Sequence, residues 1–352
     1  MPNISEVAVI APNFKRRLSG VTSTIIQLVP LQARSLGIAA LGPGLPDHLP
    51  KLRLRDMPGL WSAPTGRPFR IWHARRNVEM LAGIVLRDIL RMPLRLVFTS
   101  AAQRHHTGWT RRLIRRMDAV IATSGRSAGY LTIPAEVVLH GIDLDRFRPA
   151  PSRETQKAEL GLAGRRLIGC SGRIRHQKGT DVFVDAMIAV LPRHPEWTAI
   201  VTGRVTAEHA AFDADLRRRV AAAGLNERIR FLGEVEDVTA WFRAFDLYVA
   251  PPRNEGFGLT PLEAMASGAA VVASDAGAFA DMIIEGETGR IVPVGDVAAL
   301  AAAVEAYLAD PDALARAGAS ALAHVRTKFP LAREAAEIQR VYERLWSAAD
   351  RG

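Results

Sequence analysis

A glycine-rich stretch in the second half of the chain has the residue types of a phosphate-binding loop. Residues 251–268 read PPRNEGFGLTPLEAMASG, with two glycines just before a predicted helix. Glycine lets another group approach the main chain closely and adopts backbone angles that other residues avoid. We therefore expect the N–H groups of Gly256, Phe257, Gly258 and Leu259 to face an anionic ligand.

The residues after this loop have the pattern of a helix start. Thr260 suits the N-cap, Pro261 suits the first helical position, and Glu263 completes a capping box. The loop follows a predicted buried strand, Leu247–Ala250. The carboxyl ends of parallel strands are where open α/β sheets bind ligands, so this pattern predicts a site directly above the helix.

Glu255 does not fit a site that binds only an anion. It stands immediately before the glycine loop, between Asn254 and Gly256. A carboxylate beside a phosphate is unfavourable unless it serves another part of the same ligand. We expect Glu255 to contact sugar hydroxyls or the positive charge that develops at a sugar carbon.

A second stretch, residues 171–179, reads SGRIRHQKG and offers two cations to the same site. It follows the predicted strand Leu167–Ser171, so Arg173 and Lys178 also lie at the carboxyl end of a strand. Arg can bind two oxygens with its fork, while Lys supplies a compact charge. Together they suit a diphosphate leaving group.

The elements that position these residues alternate between strand and helix. Short apolar runs separated by helical patterns predict parallel sheets covered by helices, an α/β class. The predicted elements of the first half are strands 7–12, 94–99, 119–123 and 137–139 and helices 21–36 and 109–117. Those of the second half are strands 167–171, 198–202, 229–232, 247–250, 270–273 and 291–293 and helices 180–191, 207–223, 239–243 and 261–267.

The chain is long enough for two domains of ordinary size. A polar, proline-containing stretch after Phe147 predicts a boundary, with one Rossmann-like domain at 1–148 and another at 149–330. Residues 331–352 contain a helix with an apolar stripe, which could complete the second domain or pack on the first.

Composition and charge restrict the class of protein and its partners. Hydrophobic residues make up 48% of the sequence, and the single cysteine, Cys170, excludes a disulfide framework and a cysteine-based zinc site. No secretion signal and no apolar run long enough to span a membrane is recognised. Residues 1–148 carry 22 Lys and Arg against 9 Asp and Glu, a net charge of +13, while the remainder carries −3. Such a basic half attracts an anionic surface or is a solvated arginine-rich face.

The two loops together resemble a known family. SGRIRHQKG followed by NEGFGLTPLEAMASG, with Glu255 and Glu263 separated by seven residues, is similar to the retaining glycosyltransferases of family 4. The resemblance implies a GT-B fold, in which two Rossmann-like domains face each other across a cleft. Within the family, the chain looks most like bacterial lipopolysaccharide core mannosyltransferases, which use GDP-mannose.

The resemblance also implies a role for each matching residue. Arg173 and Lys178 would hold the donor diphosphate, Glu255 would contact the transferred sugar, and Glu263 would bind ribose, although its spacing equally fits a helix cap. In the first half, Gly20 matches a loop glycine that approaches the phosphate, where Ser19 replaces a second glycine of many members. The full set of expected donor contacts is Gly20, Gly172, Gly256, Phe257, Gly258, Leu259, Thr260, Glu263 and Val235, the last near backbone that would distinguish guanine from uracil.

The first half departs from the family pattern. Relatives often carry a histidine just after a first-domain strand, where this chain reads VFTS at residues 97–100. We consider His73, Arg104 and His105 as acceptor contacts, against the alternative that such histidines are ordinary surface residues. The resemblance implies a lipid-linked saccharide as acceptor and a protein held at the cytoplasmic face of the inner membrane by its basic half.

Other functions fit less well. Asp143 and Asp145 resemble a metal-binding pair of another transferase fold, but HGID at residues 140–143 matches an interdomain segment of this family, so we expect a structural role and no metal or further cofactor. A dehydrogenase lacks its glycine fingerprint and a P-loop nucleotidase lacks its GK[ST] ending. A nucleic-acid binder leaves Glu255 unexplained. A transferase using a UDP or ADP sugar, and a nucleotide-sugar hydrolase or epimerase, stay open as alternatives.

Overall fold

The computed structural model describes residues 2–16 and 20–349 of the chain. Its residues divide into two compact units, Met1–Gly141 with Leu331–Gly352, and Ile142–Pro330. The N–H of Ile142 donates to the Phe329 carbonyl at 2.8 Å, and Phe147 packs against Phe242 within the second unit. Residues 142–148 therefore belong to the second unit, slightly earlier than the boundary expected at 148.

The first unit contains a seven-stranded parallel sheet in the order β3-β2-β1-β4-β5-β6-β7. The sequence patterns predicted β1, β5, β6 and β7 and missed β2, β3 and β4. The strands are β1 (Val9–Pro12), β2 (Ile38–Leu41), β3 (Lys51–Leu52), β4 (Arg70–Ala74), β5 (Leu94–Ser100), β6 (Ala119–Ala122) and β7 (Glu136–Val137).

The second unit contains a six-stranded parallel sheet in the order β10-β9-β8-β11-β12-β13. Its buried runs agree with the strands that the sequence predicts to within about two residues. The strands are β8 (Arg166–Ser171), β9 (Trp197–Thr202), β10 (Ile229–Gly233), β11 (Leu247–Ala250), β12 (Ala270–Ser274) and β13 (Gly289–Val292).

Thirteen α-helices connect and cover the strands in the described part of the chain. Several begin at side-chain caps, as at Asp310, whose carboxylate accepts the N–H of Ala313 while Pro311 takes the first helical position. The helices are α1 (Gly20–Gln32), α2 (Asn77–Ile84), α3 (Gly108–Ile114), α4 (Gly125–Gly129), α5 (Arg153–Glu159), α6 (Thr180–Val190), α7 (Ala210–Ala222), α8 (Val238–Ala244), α9 (Thr260–Ala266), α10 (Phe279–Met282), α11 (Val297–Ala309), α12 (Pro311–Lys328) and α13 (Leu331–Ala349).

The first sheet is covered on both faces. Alternate residues of a strand point to opposite faces, so Val9 and Ile71 pack with α1 and α13, while Ile10 and Trp72 pack with α2 and α3. A π-helical segment, Val85–Ile89, continues α2.

No helix in the described residues is both long enough and apolar enough to cross a bilayer.

The C-terminal helix packs on the first unit, which resolves the alternative that the sequence left open. Ile338, Tyr342 and Trp346, spaced four residues apart, are buried in the same cluster as α1. The indole N–H of Trp346 donates to the Phe69 carbonyl at 3.0 Å. The chain therefore returns to its first unit after completing the second.

Candidate active site

The two loops singled out in the sequence meet at one edge of the second sheet. β8 and β11 are neighbours, although β9 and β10 extend the sheet on one side and β12 and β13 on the other. The order in which successive strands are added to the sheet therefore reverses between β8 and β11, although all the strands are parallel. Ligands of open α/β sheets bind at this switch point, outside the carboxyl ends of the strands. The loop after Ser171 and the loop after Ala250 form its two sides.

Main-chain contacts hold these loops together. Gly179 has a φ of 67°, and a Cβ there would lie 1.8 Å from the Pro251 carbonyl oxygen, so only glycine fits. The N–H of Arg253 donates to the Gln177 carbonyl at 2.9 Å. The Arg253 guanidinium also pairs with Asp181 through two bonds of 2.7 and 2.9 Å. These contacts fix the two loops to each other, so both contribute to one site.

The charged residues of the two loops meet here. Lys178 forms an ion pair with Glu255, and the other carboxylate oxygen of Glu255 accepts the Gly256 N–H at 3.1 Å. A cavity of about 20 Å³ lies beside this pair and is also lined by Gly172. Arg173 is exposed and has no hydrogen bond or ion pair with any other described residue. Of the two cations expected to bind a diphosphate, Lys178 is therefore paired and Arg173 has no partner among the described residues.

The glycine loop has the conformation that its sequence predicts. Gly258 has a φ of 84°, and a Cβ there would lie 2.3 Å from the Phe279 ring. Phe257 is buried, and its carbonyl accepts the Ala278 N–H at 3.1 Å. The N–H groups of Gly258, Leu259 and Thr260 donate to none of the described residues, so main-chain donors remain available for an anion.

The expected capping box does not form. Helix α9 begins at Thr260, so Leu259 rather than Thr260 takes the N-cap position and supplies no side-chain cap. The Thr260 hydroxyl instead interacts with the Tyr248 hydroxyl, whose pKa is raised by burial. Tyr248 also hydrogen-bonds the N–H and carbonyl of Ser171, at 3.2 and 3.3 Å. Tyr248, which the sequence patterns did not indicate, therefore links the starts of the two loops.

Glu263 has no structural partner in the described part of the chain. Its side chain is half-buried, and its carboxylate accepts no hydrogen bond from the described residues. Burial raises the pKa of Glu263 to about 7, and the positive charge of Arg146 opposes this only in part. A carboxylate that is neither a cap nor part of an ion pair is costly for the fold and is available to a ligand.

The other residues expected to contact the nucleotide-sugar donor lie at the carboxyl edges of their own sheets. Val235 is half-buried in the loop after β10, and the carbonyl of Gly233 accepts the Gly203 N–H at 2.6 Å. Gly20 is exposed as the first residue of α1. Ser19 lies outside the described residues.

A polar cluster that the sequence did not indicate lies at the switch point of the first sheet, where the strand order reverses between β1 and β4. Asn13 is buried and binds the carbonyls of Lys15 and Pro43. The Arg76 guanidinium donates to Asn13 at 2.9 Å and to Glu79 at 2.7 Å. This cluster anchors the chain that leads towards α1.

The structure does not support His73 as an acceptor contact. It is fully buried in β4, with one ring nitrogen 2.5 Å from the Tyr342 hydroxyl and the other 2.7 Å from the Thr99 hydroxyl. Burial, and then the charge of Arg75, lower the pKa of His73. A histidine whose two nitrogens are both bonded inside the core joins α13 to the sheet and does not face a ligand.

Arg104 and His105 lie where solvent can reach them. Both are exposed in the loop after β5, with the His105 ring edge-on to Tyr130. The neighbouring His106, rather than His105, hydrogen-bonds Ser100 at the end of β5, at 3.2 Å. The structure thus leaves Arg104 and His105 open as surface residues without assigning them a ligand.

The acidic pair at residues 143 and 145 has a local role. One carboxylate oxygen of Asp143 accepts the N–H groups of Asp145 and Arg146, at 3.0 and 3.1 Å, which closes a turn. Within the described residues, no three His, Cys, Asp or Glu side chains cluster as metal ligands.

Comparisons with known proteins show what the whole chain is similar to. Residues 165–310 match the family model of glycosyl transferases group 1. The chain is 60% identical to the lipopolysaccharide core biosynthesis mannosyltransferase LpcC of Rhizobium leguminosarum bv. viciae, over 98% of both chains. It is 58% identical to the enzyme of the same description, LpsB, of Rhizobium meliloti, over 98% of this chain and 99% of that one. The crystal structure of Anabaena HepE with UDP and glucose superposes with a TM-score of 0.79 at 20% identity, covering 95% of this chain and 99% of that chain. The expected α/β class of GT-B type is confirmed.

Proposed function

Because the chain belongs to the group 1 glycosyltransferases, within the lipopolysaccharide core mannosyltransferases, we propose that it transfers mannose from GDP-mannose to a lipopolysaccharide core saccharide. The observation that carries this proposal is the joining of the two loops at the switch point of the second sheet. In this proposal, one ligand uses the cations, the two carboxylates and the main-chain N–H groups that lack partners among the described residues of these loops.

In this proposal, the cations bind the donor diphosphate. Arg173 is exposed and unpaired among the described residues, so its guanidinium can bind two phosphate oxygens without first breaking another contact. The N–H groups of Gly258, Leu259 and Thr260 add main-chain donors. Because α9 has only two turns, these hydrogen bonds matter more than its dipole.

Lys178 and Glu255 would exchange partners when the donor binds. In the structure they neutralise each other. A phosphate oxygen would replace the carboxylate at Lys178, and Glu255 would then be free to accept hydrogen bonds from hydroxyls of the transferred sugar. A part-buried pair of this kind keeps both charges satisfied before the ligand arrives.

Glu263 would bind the ribose of the donor. Its carboxylate lacks a partner among the described residues, and two ribose hydroxyls would supply hydrogen bonds to it. Because hydrogen bonding to the charged form lowers a carboxyl pKa, donor binding would ionise Glu263. Main chain near Val235 is the region that would distinguish guanine from the bases of other nucleotide sugars.

The proposed chemistry retains the configuration of the sugar. The bond between the sugar carbon and the diphosphate oxygen breaks while the acceptor hydroxyl forms a new bond on the same face. The acceptor proton passes to the departing phosphate, which yields GDP and the mannosylated acceptor. Arg173, Lys178 and the loop amides stabilise the charge that develops on the diphosphate, and this stabilisation accounts for the rate increase.

The charge of the first unit supports a proposal for the acceptor and for the cellular location. The first unit holds the net charge of +13, and the expected acceptor is a lipid-linked saccharide that bears phosphate or acidic sugars. We propose that the enzyme works at the cytoplasmic face of the inner membrane, bound peripherally to anionic lipid.

Two assays test this function. Thermal shift with GDP, UDP, ADP and their sugars should show the largest rise in midpoint with the guanine nucleotides. Product analysis with GDP-mannose should show transfer that requires the core acceptor. A larger response to UDP or ADP would assign another donor, and release of free mannose at the same rate without acceptor would indicate a hydrolase.

A matched pair of variants links the activity to the site. R173Q/K178Q should abolish the thermal shift with GDP and reduce turnover. R316Q/K328Q removes the same charges from exposed positions on α12 and should change neither. Equal loss in both double variants would show that general charge, not this site, binds the nucleotide.

A further inference from the structure

An arginine follows the last residue of β4, at the switch point of the first sheet. Arg75 comes directly after Ala74, and β4 lies beside β1, where the strand order reverses. Its side chain is half-buried, so water reaches only part of it. Open α/β sheets bind ligands outside the carboxyl ends of their strands at such a point. Arg75 therefore stands where a ligand of the first unit is expected.

Most of the Arg75 guanidinium has no partner among the described residues. A guanidinium has five N–H donors, and one of those of Arg75 donates to the His73 carbonyl at 3.3 Å. The others donate to no described residue, and no described carboxylate lies within ion-pair distance of them. Burial lowers the pKa of Arg75, although Tyr342, Glu79 and Glu334 oppose this effect. A desolvated cation without a partner is unfavourable for the fold.

The two carboxylates whose charges reach Arg75 are bound by other groups. Glu79 is fully buried, and one of its oxygens accepts the main-chain N–H of Arg75 at 2.8 Å. The other oxygen pairs with the Arg76 guanidinium at 2.7 Å. The Glu334 carboxylate lies 2.6 Å from a ring nitrogen of His140. Both carboxylates therefore have partners already, and the Arg75 guanidinium is left to bind another anion.

The neighbouring arginine has a different role. Arg76 donates to Asn13, Glu79 and Thr22, at 2.9, 2.7 and 2.9 Å. It belongs to the polar cluster that anchors the chain leading towards α1. Of two adjacent arginines after β4, one is therefore held by the protein and the other is not.

The surrounding loops favour an anion as the ligand. The segments that follow β1, β4 and β5 hold five Lys and Arg and one acid, Glu79. These segments are residues 13–16, 75–79 and 101–107. Because Glu79 already pairs with Arg76, the net charge at this edge of the sheet is positive.

We propose that Arg75 binds an oxyanion of the acceptor saccharide, a sugar carboxylate or a phosphate, and so selects acceptors by charge. The planar fork of a guanidinium can bind two oxygens of either group. This inference rests on the proposed function, because it names an acceptor contact of that transfer. It assigns the recognition to one side chain of the first unit, whereas attraction by net charge would need no particular arginine.

Three forms of one water-soluble acceptor identify the oxyanion. Deacylated lipopolysaccharide core can be used untreated, after a phosphatase has removed its phosphates, or after its carboxylates have been reduced to alcohols. For the unmodified enzyme with GDP-mannose, kcat/KM should fall about 10- to 100-fold on the form that lacks the bound oxyanion. The fall should arise mainly from a higher KM for the acceptor. Equal kcat/KM values for all three forms would overturn the proposal.

Substitution of Arg75 should have the same effect as removing the oxyanion. R75Q should lower kcat/KM on untreated core about 10- to 100-fold, and the treatment that impairs the unmodified enzyme should lower it little further. The thermal shift of R75Q with GDP should be unchanged, because donor binding is assigned to the second unit. R34Q removes an exposed arginine of the first unit and should behave as the unmodified enzyme does. Fully additive losses from R75Q and that treatment would refute the assignment of Arg75.

A lysine variant covers the case in which glutamine destabilises the fold. R75K keeps the charge but loses the fork, so it should unfold at the same temperature as the unmodified chain and show a smaller preference for untreated core. If R75Q is unfolded at the assay temperature, R75K decides the matter. An undiminished preference in R75K would contradict the proposal.

Binding measured without turnover separates this inference from the proposed function. In calorimetry, untreated core should bind the unmodified chain and R34Q equally, and R75Q more weakly. If no form of the core is mannosylated but this difference in binding is found, the proposed function fails and the assignment of Arg75 stands. If the core is mannosylated and R75Q binds and uses it normally, the assignment of Arg75 fails alone.

Discussion

Replacing Glu263 with glutamine should stabilise the protein while removing donor binding. The carboxyl ionises near 4.5 in an unfolded chain but at about 7 in the folded one. The unfolded state therefore loses its proton first, so this group lowers the free energy of unfolding as the pH rises from 4.5 through about 7. At higher pH the lost stability stays constant. Allowing for partial exposure, E263Q should gain about 2 kcal/mol over the unmodified chain between pH 5 and pH 8. Glutamine does not titrate, so the stability of the E263Q protein lacks this pH dependence.

Thermal unfolding of the nucleotide-free protein at the two pH values measures this effect. The advantage of E263Q should grow by roughly 4–8 °C between pH 5 and pH 8. E208Q changes an exposed carboxylate of the second unit and should show no such growth. GDP should raise the midpoint of the unmodified chain and of E208Q but not that of E263Q. If E263Q is less stable than the unmodified chain at pH 8, the carboxylate supports the fold, and our assignment of Glu263 to a ligand is refuted.

Three further substitutions test the parts that hold the sites in place. G258A should cost at least about 1 kcal/mol and weaken GDP binding, because alanine must adopt a φ of 84° and would contact the Phe279 ring; normal binding in calorimetry would contradict this. Y248F removes the hydroxyl that links the two loops, so we expect the KM for the donor to rise more than kcat falls; unchanged kinetics would leave the tyrosine a packing role. Y342F leaves a nitrogen of buried His73 unpaired and should lower the free energy of unfolding by about 1–3 kcal/mol, measured by denaturant titration. An unchanged free energy of unfolding would count against a stabilising bond between Tyr342 and His73.

The second unit was predictable because its strands are continuous apolar runs. Strands such as Leu247–Ala250 need no alternation when both faces are covered, and the loops that follow them carry their glycines and charges in sequence order. Parallel strands place both loops at one edge of the sheet, and the loops meet there because β8 and β11 are neighbours. The GT-B class and the family were also predictable, through the resemblance carried by Arg173, Lys178 and Glu255.

Other features depend on contacts that local patterns do not encode. The pattern at Thr260 fits a capping box, but a buried tyrosine from a neighbouring strand interacts with its hydroxyl. His73 follows apolar residues on a short strand, and its burial depends on Tyr342, far away in the chain. The destination of the C-terminal helix depends on which apolar surface is left uncovered, and periodicity alone does not specify that surface.

Calorimetric titration with GDP-mannose is the most direct test of the central proposal, that the two loops of the second unit bind the diphosphate of a sugar nucleotide. The unmodified protein and R316Q/K328Q should bind with equal affinity, and R173Q/K178Q should show no measurable binding. Undiminished affinity in R173Q/K178Q would contradict the account, because the cations assigned to the diphosphate would then contribute nothing to its binding.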